Sequence, residues 1–370
     1  MNIHQDPRVV MTLDAGRTGL KFSAIRGTQL LVGPVARPTE AEDRARCLGN
    51  IVAGFEQVKR ALREAPVAIS FAFPGPADYP AGIIAGLENF PAFRDPVPLG
   101  PILKEHFGLP VFINNDGDLF AYGEAIAGFL PYVNGLLAEA ANPKRYRNLF
   151  GITLGTGLGG GIVRNGELFL GDNSAGGEAW LLRNRLAPSL NAEEGASIRA
   201  VRRVYAEVAG IAFDAAPEPK TIARIATGHA NGHRHAALEA FRRMGEVAGD
   251  VLAQSLTLID GLAVIGGGMA AAHPLFLKHL VGAMNSGFDG CTPPLRRLAP
   301  RAFNLEDTAD RAAFLRGEVH EVAVPASGRR IAYDPMRRTA VGISRLGTSE
   351  AVAVGAYAFA LNQLERPIIP

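Results

Sequence analysis

Apolar residues fall along this chain in two rhythms: short unbroken runs, and longer stretches where they return every three or four positions. Residues 9–13 are a short run that ends at Asp14. Residues 21–25 and 29–32 read as two further strands, with Arg26-Gly27 as the tight turn between them. Leu48, Ile51, Val52, Phe55, Val58 and Leu62 then recur at helical spacing across residues 40–63. Residues 67–73 and 111–113 are continuous apolar strands, stopped by Pro74-Gly75-Pro76 and by Asn114-Asn115-Asp116, and residues 119–128 read as a helix. Strands that alternate with helices predict an α/β fold with a largely parallel sheet.

The opening layout returns at Leu149. Residues 149–154 are a strand and residues 155–161 a glycine turn. A strand begins at Ile162-Val163, Asn165-Gly166 makes a hairpin-type turn, and a third strand starts at residues 167–169. This echo reads either as two unrelated hairpins or as a duplicated fold that holds a ligand between its halves. Beyond it, residues 198–208 and 238–255 have helical spacing. Residues 262–265 form a strand that runs into Gly266-Gly267-Gly268. Residues 285–340 are rich in arginine, and residues 319–324 and 330–333 pattern as a hairpin around Ala326-Ser327-Gly328. Residues 350–361 form a last, small-residue helix.

Composition narrows the function classes. At 370 residues and 48% hydrophobic, the chain can build two domains with sizeable cores. Lys and Arg number 38 against 36 Asp and Glu, so no bulk electrostatic nucleic-acid binding is expected. Cys47 and Cys291 are too few for a disulfide framework and fit a reducing compartment. No run approaches about 18 apolar residues, and residues 1–8 lead into no signal-type segment. The expectation is a cytoplasmic protein without a membrane partner.

The 43 glycines are an excess, and they cluster. Asp14 to Lys21 contains Gly16 and Thr18. Bare backbone N–H groups there can approach phosphate, and Asp14 can hold Mg²⁺; an ordinary hairpin turn explains the same residues. The cluster 155–161, with Thr156 and Gly157, reads as a phosphate turn or as a bulge in close sheet packing. Gly267 and Gly268 follow a buried strand, which suits either a ligand or a plain strand-to-helix connection. Asp116 stands at a strand end, where open α/β sheets bind ligands, and could take a proton from a hydroxyl. Asp118 reads as the helix cap. Glu178, beside the single tryptophan Trp180, suits a sugar face or a core position.

In this order the residues resemble the ROK (repressor, open reading frame, kinase) family of sugar kinases, within the actin-like ATPase superfamily. Asp14-x-Gly16-x-Thr18-x-x-Lys21 resembles the family's first phosphate motif and Leu154-Gly155-Thr156-Gly157-x-Gly159-x-Gly161 its second. Pro74-Gly75 with Asp78, Gly82 and Asn89 resembles the sugar-side loop. Asn115-Asp116-x-x-x-x-Ala121-x-x-Glu124 resembles the catalytic segment, Gly177-Glu178 the sugar-binding glutamate motif and Gly266-Gly267-Gly268 the adenosine motif. The resemblance implies a two-domain actin-like (ribonuclease H-like) α/β fold, with mixed sheets flanked by helices and a cleft between the domains. Residues 1–130 with a helix at about 350–370 would form the small domain. Residues 131–349, with an inserted segment at about 285–340, would form the large one.

It also implies ATP-dependent phosphorylation of a sugar hydroxyl, hexokinase- or glucokinase-like, with Asp116 as general base. Gly75, Asn89, Asn115, Asp116 and Glu178 would bind sugar. Asp14, Gly16, Thr18, Lys21, Thr156, Gly157, Gly267 and Gly268 would bind the nucleotide. Asp14 would lie near Mg²⁺, and family habit implies a homodimer. The alternative is a catalytically weak or inactive sugar-sensing regulatory protein of the same family; a kinase acting on a non-sugar hydroxyl is a further one. A DNA-binding repressor would need a helix-turn-helix ahead of Asp14, for which 13 residues are too few.

Three departures stand out. Arg17 replaces a usual glycine, and Leu181 replaces a histidine. The cysteine-rich zinc loop is replaced by Leu190-Asn191-Ala192-Glu193-Glu194-Gly195-Ala196-Ser197. No zinc is expected, so roughly 10 kcal/mol of structural-metal stabilisation has to be offset, by local packing and the arginine-rich segment.

Overall fold

The computed structural model describes residues 3–75, 77–88 and 90–366. The chain forms two compact units: Met1–Ala127 with Glu167–Gly176 and Ser349–Pro370, and Gly128–Gly166 with Gly177–Thr348.

In the first unit, β1 (Val10–Ala15), β2 (Gly19–Arg26) and β3 (Gln29–Pro38) form an antiparallel meander. The strands β4 (Ala68–Ala72) and β5 (Val111–Asn114) add in parallel on the other side of β1, giving the order β3-β2-β1-β4-β5. Helix α1 (Arg44–Ala61) starts where the Asp43 side chain accepts the Arg46 N–H at 3.1 Å. It buries Cys47, Ile51, Phe55 and Val58, and Phe55 meets Phe22 of β2 edge-on at 5.1 Å. Helices α2 (Leu99–Phe107) and α3 (Asp116–Ile126) lead into and out of β5. The C-terminal helix, Thr348–Glu365, completes this unit. Its Ala356 packs with Ala72 and Leu119, and Ser70 Oγ donates to the Ala356 carbonyl at 2.7 Å.

The second unit repeats the plan. The hairpin β6 (Leu149–Leu154) and β7 (Leu158–Arg164) is antiparallel; β8 (Leu262–Gly266), β9 (Arg301–Asn304) and β10 (Arg338–Ile343) extend it in parallel, in the order β7-β6-β8-β10-β9. The Asn165-Gly166 turn has both φ angles positive, 52° and 79°, as a two-residue hairpin of this kind requires. A short strand, Glu167–Phe169, follows it. The unit also carries α4 (Phe129–Glu139), α5 (Ile198–Ala209), α6 (Pro219–Ala226), α7 (Arg234–Ile259), α8 (His273–Met284) and α9 (Thr308–Arg316). The long helix α7 buries Phe241, Met244, Val251 and Leu252 in the core.

Three expectations need correction. Asp118 does not cap α3: the helix begins earlier, because Asn115 Oδ1 accepts the Gly117 N–H at 2.8 Å, and Asp118 is buried inside the first turn. The glycine turn stops at Gly157; Gly159, Gly160 and Gly161 belong to β7 and pair with Thr153, Ile152 and Gly151. Residues 285–340 hold more than a hairpin: β9 pairs with β10 in the main sheet, and α9 follows it. The expected hairpin itself is there, as His320–Ala323 against Arg330–Tyr333.

Candidate active site

In the first unit, parallel pairing fixes one cluster of candidate residues. Asp14 of β1 is level with Ala72 of β4, and Ala72 with Asn114 of β5, so the chain leaves β4 and β5 at the edge where Asp14 sits. Pro74-Gly75 follows β4, and Asn115-Asp116 follows β5. Asn115 does two jobs. Its Oδ1 caps α3, and its Nδ2 donates to Tyr79 Oη at 3.4 Å. Tyr79 in turn donates to the Phe73 carbonyl at 3.0 Å, and a Cβ at Gly75 would lie 2.8 Å from that same hydroxyl. Gly75 is therefore glycine because Tyr79 passes over it, and the Tyr79 hydroxyl ties the two loops together.

Asp116 Oδ1 accepts the Gly117 N–H at 2.9 Å. Water reaches this side chain, yet the protein around it displaces much of the bulk solvent, and that desolvation raises its pKa above the usual carboxylate value. The backbone N–H groups oppose the shift, and the charge of Asp14 adds to it. The charge of Asp14 thus reaches Asp116. Gly16 and Thr18 lie in the β1–β2 turn, where Gly16 N donates to the Gly19 carbonyl at 3.0 Å and the buried Thr39 hydroxyl donates to the Gly16 carbonyl at 2.6 Å. Thr18 is exposed at this turn; Lys21 is exposed on β2, paired with Asp14.

In the second unit, a separate cluster lies at the C-terminal ends of β6 and β8. A Cβ on Gly267, whose φ is +88°, would overlap the Leu154 backbone, so the glycine brings the turn after β8 against the turn after β6. Gly267 N donates to Thr348 Oγ1 at 2.8 Å, while positions 155 and 268 face open space. Thr156, Gly157, Gly267 and Gly268 are thereby brought together. Glu193 braces the first of these turns: its carboxylate accepts the Leu158 N–H at 3.1 Å, and Ile198 N donates to the Gly155 carbonyl at 2.8 Å. Gly160 is glycine because the Gly177 carbonyl passes over it. That approach sets Glu178, whose Oε2 accepts from Trp180 Nε1.

These groups suit a nucleotide with Mg²⁺. Bare turns offer N–H groups for phosphate, and one exposed carboxylate at a strand end matches a cation that keeps several waters. Among the described residues, no group of three His, Cys, Asp or Glu side chains is placed to hold a metal ion by itself.

Residues 10–289 match the model of the ROK family. The chain belongs to the ROK family. A solved structure of glucokinase from Parabacteroides distasonis is 52% identical over 98% of this chain and 99% of that one, with a TM-score of 0.90. The fold is accordingly the two-domain actin-like α/β fold that the resemblance implied. A glucokinase of Halalkalibacterium halodurans is 30% identical over 45% of this chain and 47% of its own. An N-acetyl-D-glucosamine kinase of Vibrio cholerae is 30% identical over 46% and 51%. The chain spans about half the length of each of these two relatives.

Each departure from the ROK pattern has a structural counterpart. Arg17 has no positive φ, and its side chain lies in solvent, 3.9 Å from Glu42, so the turn accepts it without strain. Leu181 is 60% exposed, so it fills no core position. The rebuilt loop 190–197 is held by its own polar groups. Asn191 caps Glu194 N at 3.2 Å, and Arg203 Nη1 reaches Glu194 at 2.6 Å, with Arg199 beside it. These arginines are in α5; the expectation named local packing and the segment 285–340. Among the described residues no ion pair joins that segment to the loop. Asn89 lies outside the described residues. Sequence reading missed Tyr79, Glu193 and Asn114; the Asn114 side chain is buried with neither Nδ2 nor Oδ1 hydrogen-bonded. Asn-Asn-Asp reads as a turn, and its three roles separate only once the strand and helix around it are folded.

Proposed function

We propose that this protein is an ATP-dependent kinase of a sugar hydroxyl, hexokinase- or glucokinase-like, with Asp116 as the general base. The observation that carries the reading is Asp116 itself: a water-accessible carboxylate at the end of a parallel strand, with a raised pKa and with Asp14 as its electrostatic neighbour. The 52% identical glucokinase structure supports the reaction class.

ATP supplies the transferable phosphoryl group, and Mg²⁺ offsets its charge near Asp14. The protein's part is to hold, orient and deprotonate. The turns at Gly16–Thr18 and Thr156–Gly157 present N–H and hydroxyl donors to phosphate, Lys21 adds a cation, and Gly267-Gly268 lie toward the adenosine. Asn115, Asn89, Glu178 and the bare backbone at Gly75 bind the sugar. The Glu178 Oε1 stays available because the indole of Trp180 engages Oε2. Asp116 accepts the proton of the attacking hydroxyl, and its raised pKa makes it a stronger base than an ordinary aspartate. We further infer a cytoplasmic homodimer with no nucleic-acid or membrane partner, the location from the two unpaired thiols and the dimer from family habit.

The test is Asp116→Asn. Sugar binding by calorimetry persists, and turnover falls at least about 100-fold. Near-normal turnover would remove Asp116 from the base role. Sugar-dependent ADP release across a panel of hexoses and N-acetylated sugars, with glucose expected first, identifies the acceptor; sugar binding without ADP release would make the protein a sensor.

A further inference from the structure

At the opposite edge of the second unit's sheet, where β6, β10 and β9 begin, lies a recess of about 670 Å³. That volume is in the range of small-molecule sites. A six-residue strand separates it from the glycine turns by about 20 Å. Lys144, Arg145, Arg147, Arg337 and Arg338 line it, against Asp260 as the one lining carboxylate.

The positive charge is largely unanswered. Arg338 is fully buried. Its Nη1 pairs with the buried Asp334 at 2.6 Å, but Nε and Nη2 are buried with no hydrogen-bond partner. Lys144 Nζ donates only to the Met336 carbonyl at 2.7 Å, and Arg145 Nη1 only to the carbonyls of Asn142 and Lys144. Among the described residues, no ion pair is formed by Lys144, Arg145, Arg147 or Arg337. Burial and the charge of Arg338 both push the Lys144 ammonium toward its neutral form, despite Asp334 and Asp260. Like charges held together at a partly desolvated site are stabilised by an anion.

A single phosphate is much smaller than this recess. Asp260, together with the Asn165 side chain that also lines it, provides acceptors and donors for hydroxyl groups. We propose that this recess binds a small phosphate ester that carries hydroxyl groups, its phosphate set among the arginines and its hydroxyls toward Asp260. The site is separate from the nucleotide turns and requires no turnover.

The probe is glucose 6-phosphate, titrated calorimetrically into the full chain carrying Asp116→Asn and Glu178→Ala, which disable the proposed sugar site. Because no catalysis is read, failure of the kinase reading leaves this result interpretable. Binding is expected at about 1 mM or tighter, with inorganic phosphate at least about tenfold weaker. Arg147→Ala with Arg337→Ala, both exposed and unpaired, should weaken the ester at least about tenfold while leaving the melting temperature unchanged. Arg60→Ala with Arg63→Ala, on the first unit, should change nothing. The proposal fails if no binding occurs up to about 10 mM, if the recess pair leaves affinity intact, if the control pair weakens binding equally, or if inorganic phosphate binds as well as the ester.

Discussion

Asp116 is in the first turn of α3, where backbone N–H groups favour a negative charge. Its pKa is nevertheless raised, first by desolvation and then by Asp14. The reaction and the stability respond differently. For catalysis, the base must be ionised, so the acid limb of kcat should lie above the usual carboxylate value of about 3.9. For folding, a carboxylate whose folded pKa exceeds its unfolded one binds its proton more tightly when folded. Its ionised form therefore costs stability above the folded pKa, and that cost vanishes as pH falls through it. Asp116→Asn should accordingly raise the melting temperature at pH near 7 even as it removes activity, and the gain should shrink toward acid pH. A melting temperature that falls at neutral pH would show the carboxylate to be a structural group. The pairing of lost turnover with gained stability separates a catalytic base from a structural carboxylate.

The loop 190–197 and the helices show why some elements can be read from sequence and others cannot. Residues 9–13, the Asn165-Gly166 turn and the helix at 40–63 are visible because each obeys one local rule. Five helices were not: α9, and α2, α4, α6 and α8, which carry Pro101, Pro131, Pro219 and Pro274 in their first turns. A proline reads as a breaker, yet in a first turn its missing N–H has no partner to lose. The ion pairs of this loop were equally hidden, because Glu194 meets Arg199 and Arg203 only once α5 is folded. Arg199 and Arg203 hold the Glu194 carboxyl below its ordinary value. A depressed carboxyl contributes stability above its unfolded pKa, and the contribution is lost as pH falls through the folded pKa. Glu194→Ala should therefore cost about 1 kcal/mol at neutral pH, the pairs being partly exposed, and progressively less as pH falls through the depressed folded pKa. A strong zinc chelator should leave the wild-type melting temperature unmoved; a chelator-induced drop would show that the loop is held by metal.

At the scale of the whole molecule, the first unit is assembled from distant pieces of chain, and the piece added last supports the proposed base. A Cβ at Gly355 would fall on the Leu119 carbonyl, and one at Gly123 on the Ala351 carbonyl, so α3 and the C-terminal helix meet backbone to backbone. Phe359 stands edge-on to Phe112 of β5 at 6.0 Å, and Tyr357 Oη donates to the Arg8 carbonyl at 3.0 Å. The spacing of small residues at 350–361 gave the helix, but the small residues matter for the partner they admit, which lies over 200 positions earlier in sequence. Gly355→Val tests this dependence. The added side chain cannot be accommodated by a rotamer change, because it meets main chain, so α3 must shift at a cost of about 1–3 kcal/mol. Asp116 and Asn115 ride on the start of that helix. The variant should therefore melt earlier and lose turnover with sugar affinity, while nucleotide affinity, resting on turns that α3 does not carry, changes little. Gly355→Ala should show the same pattern to a lesser degree. Normal sugar affinity and normal melting in Gly355→Val would show that α3 is positioned without the C-terminal helix.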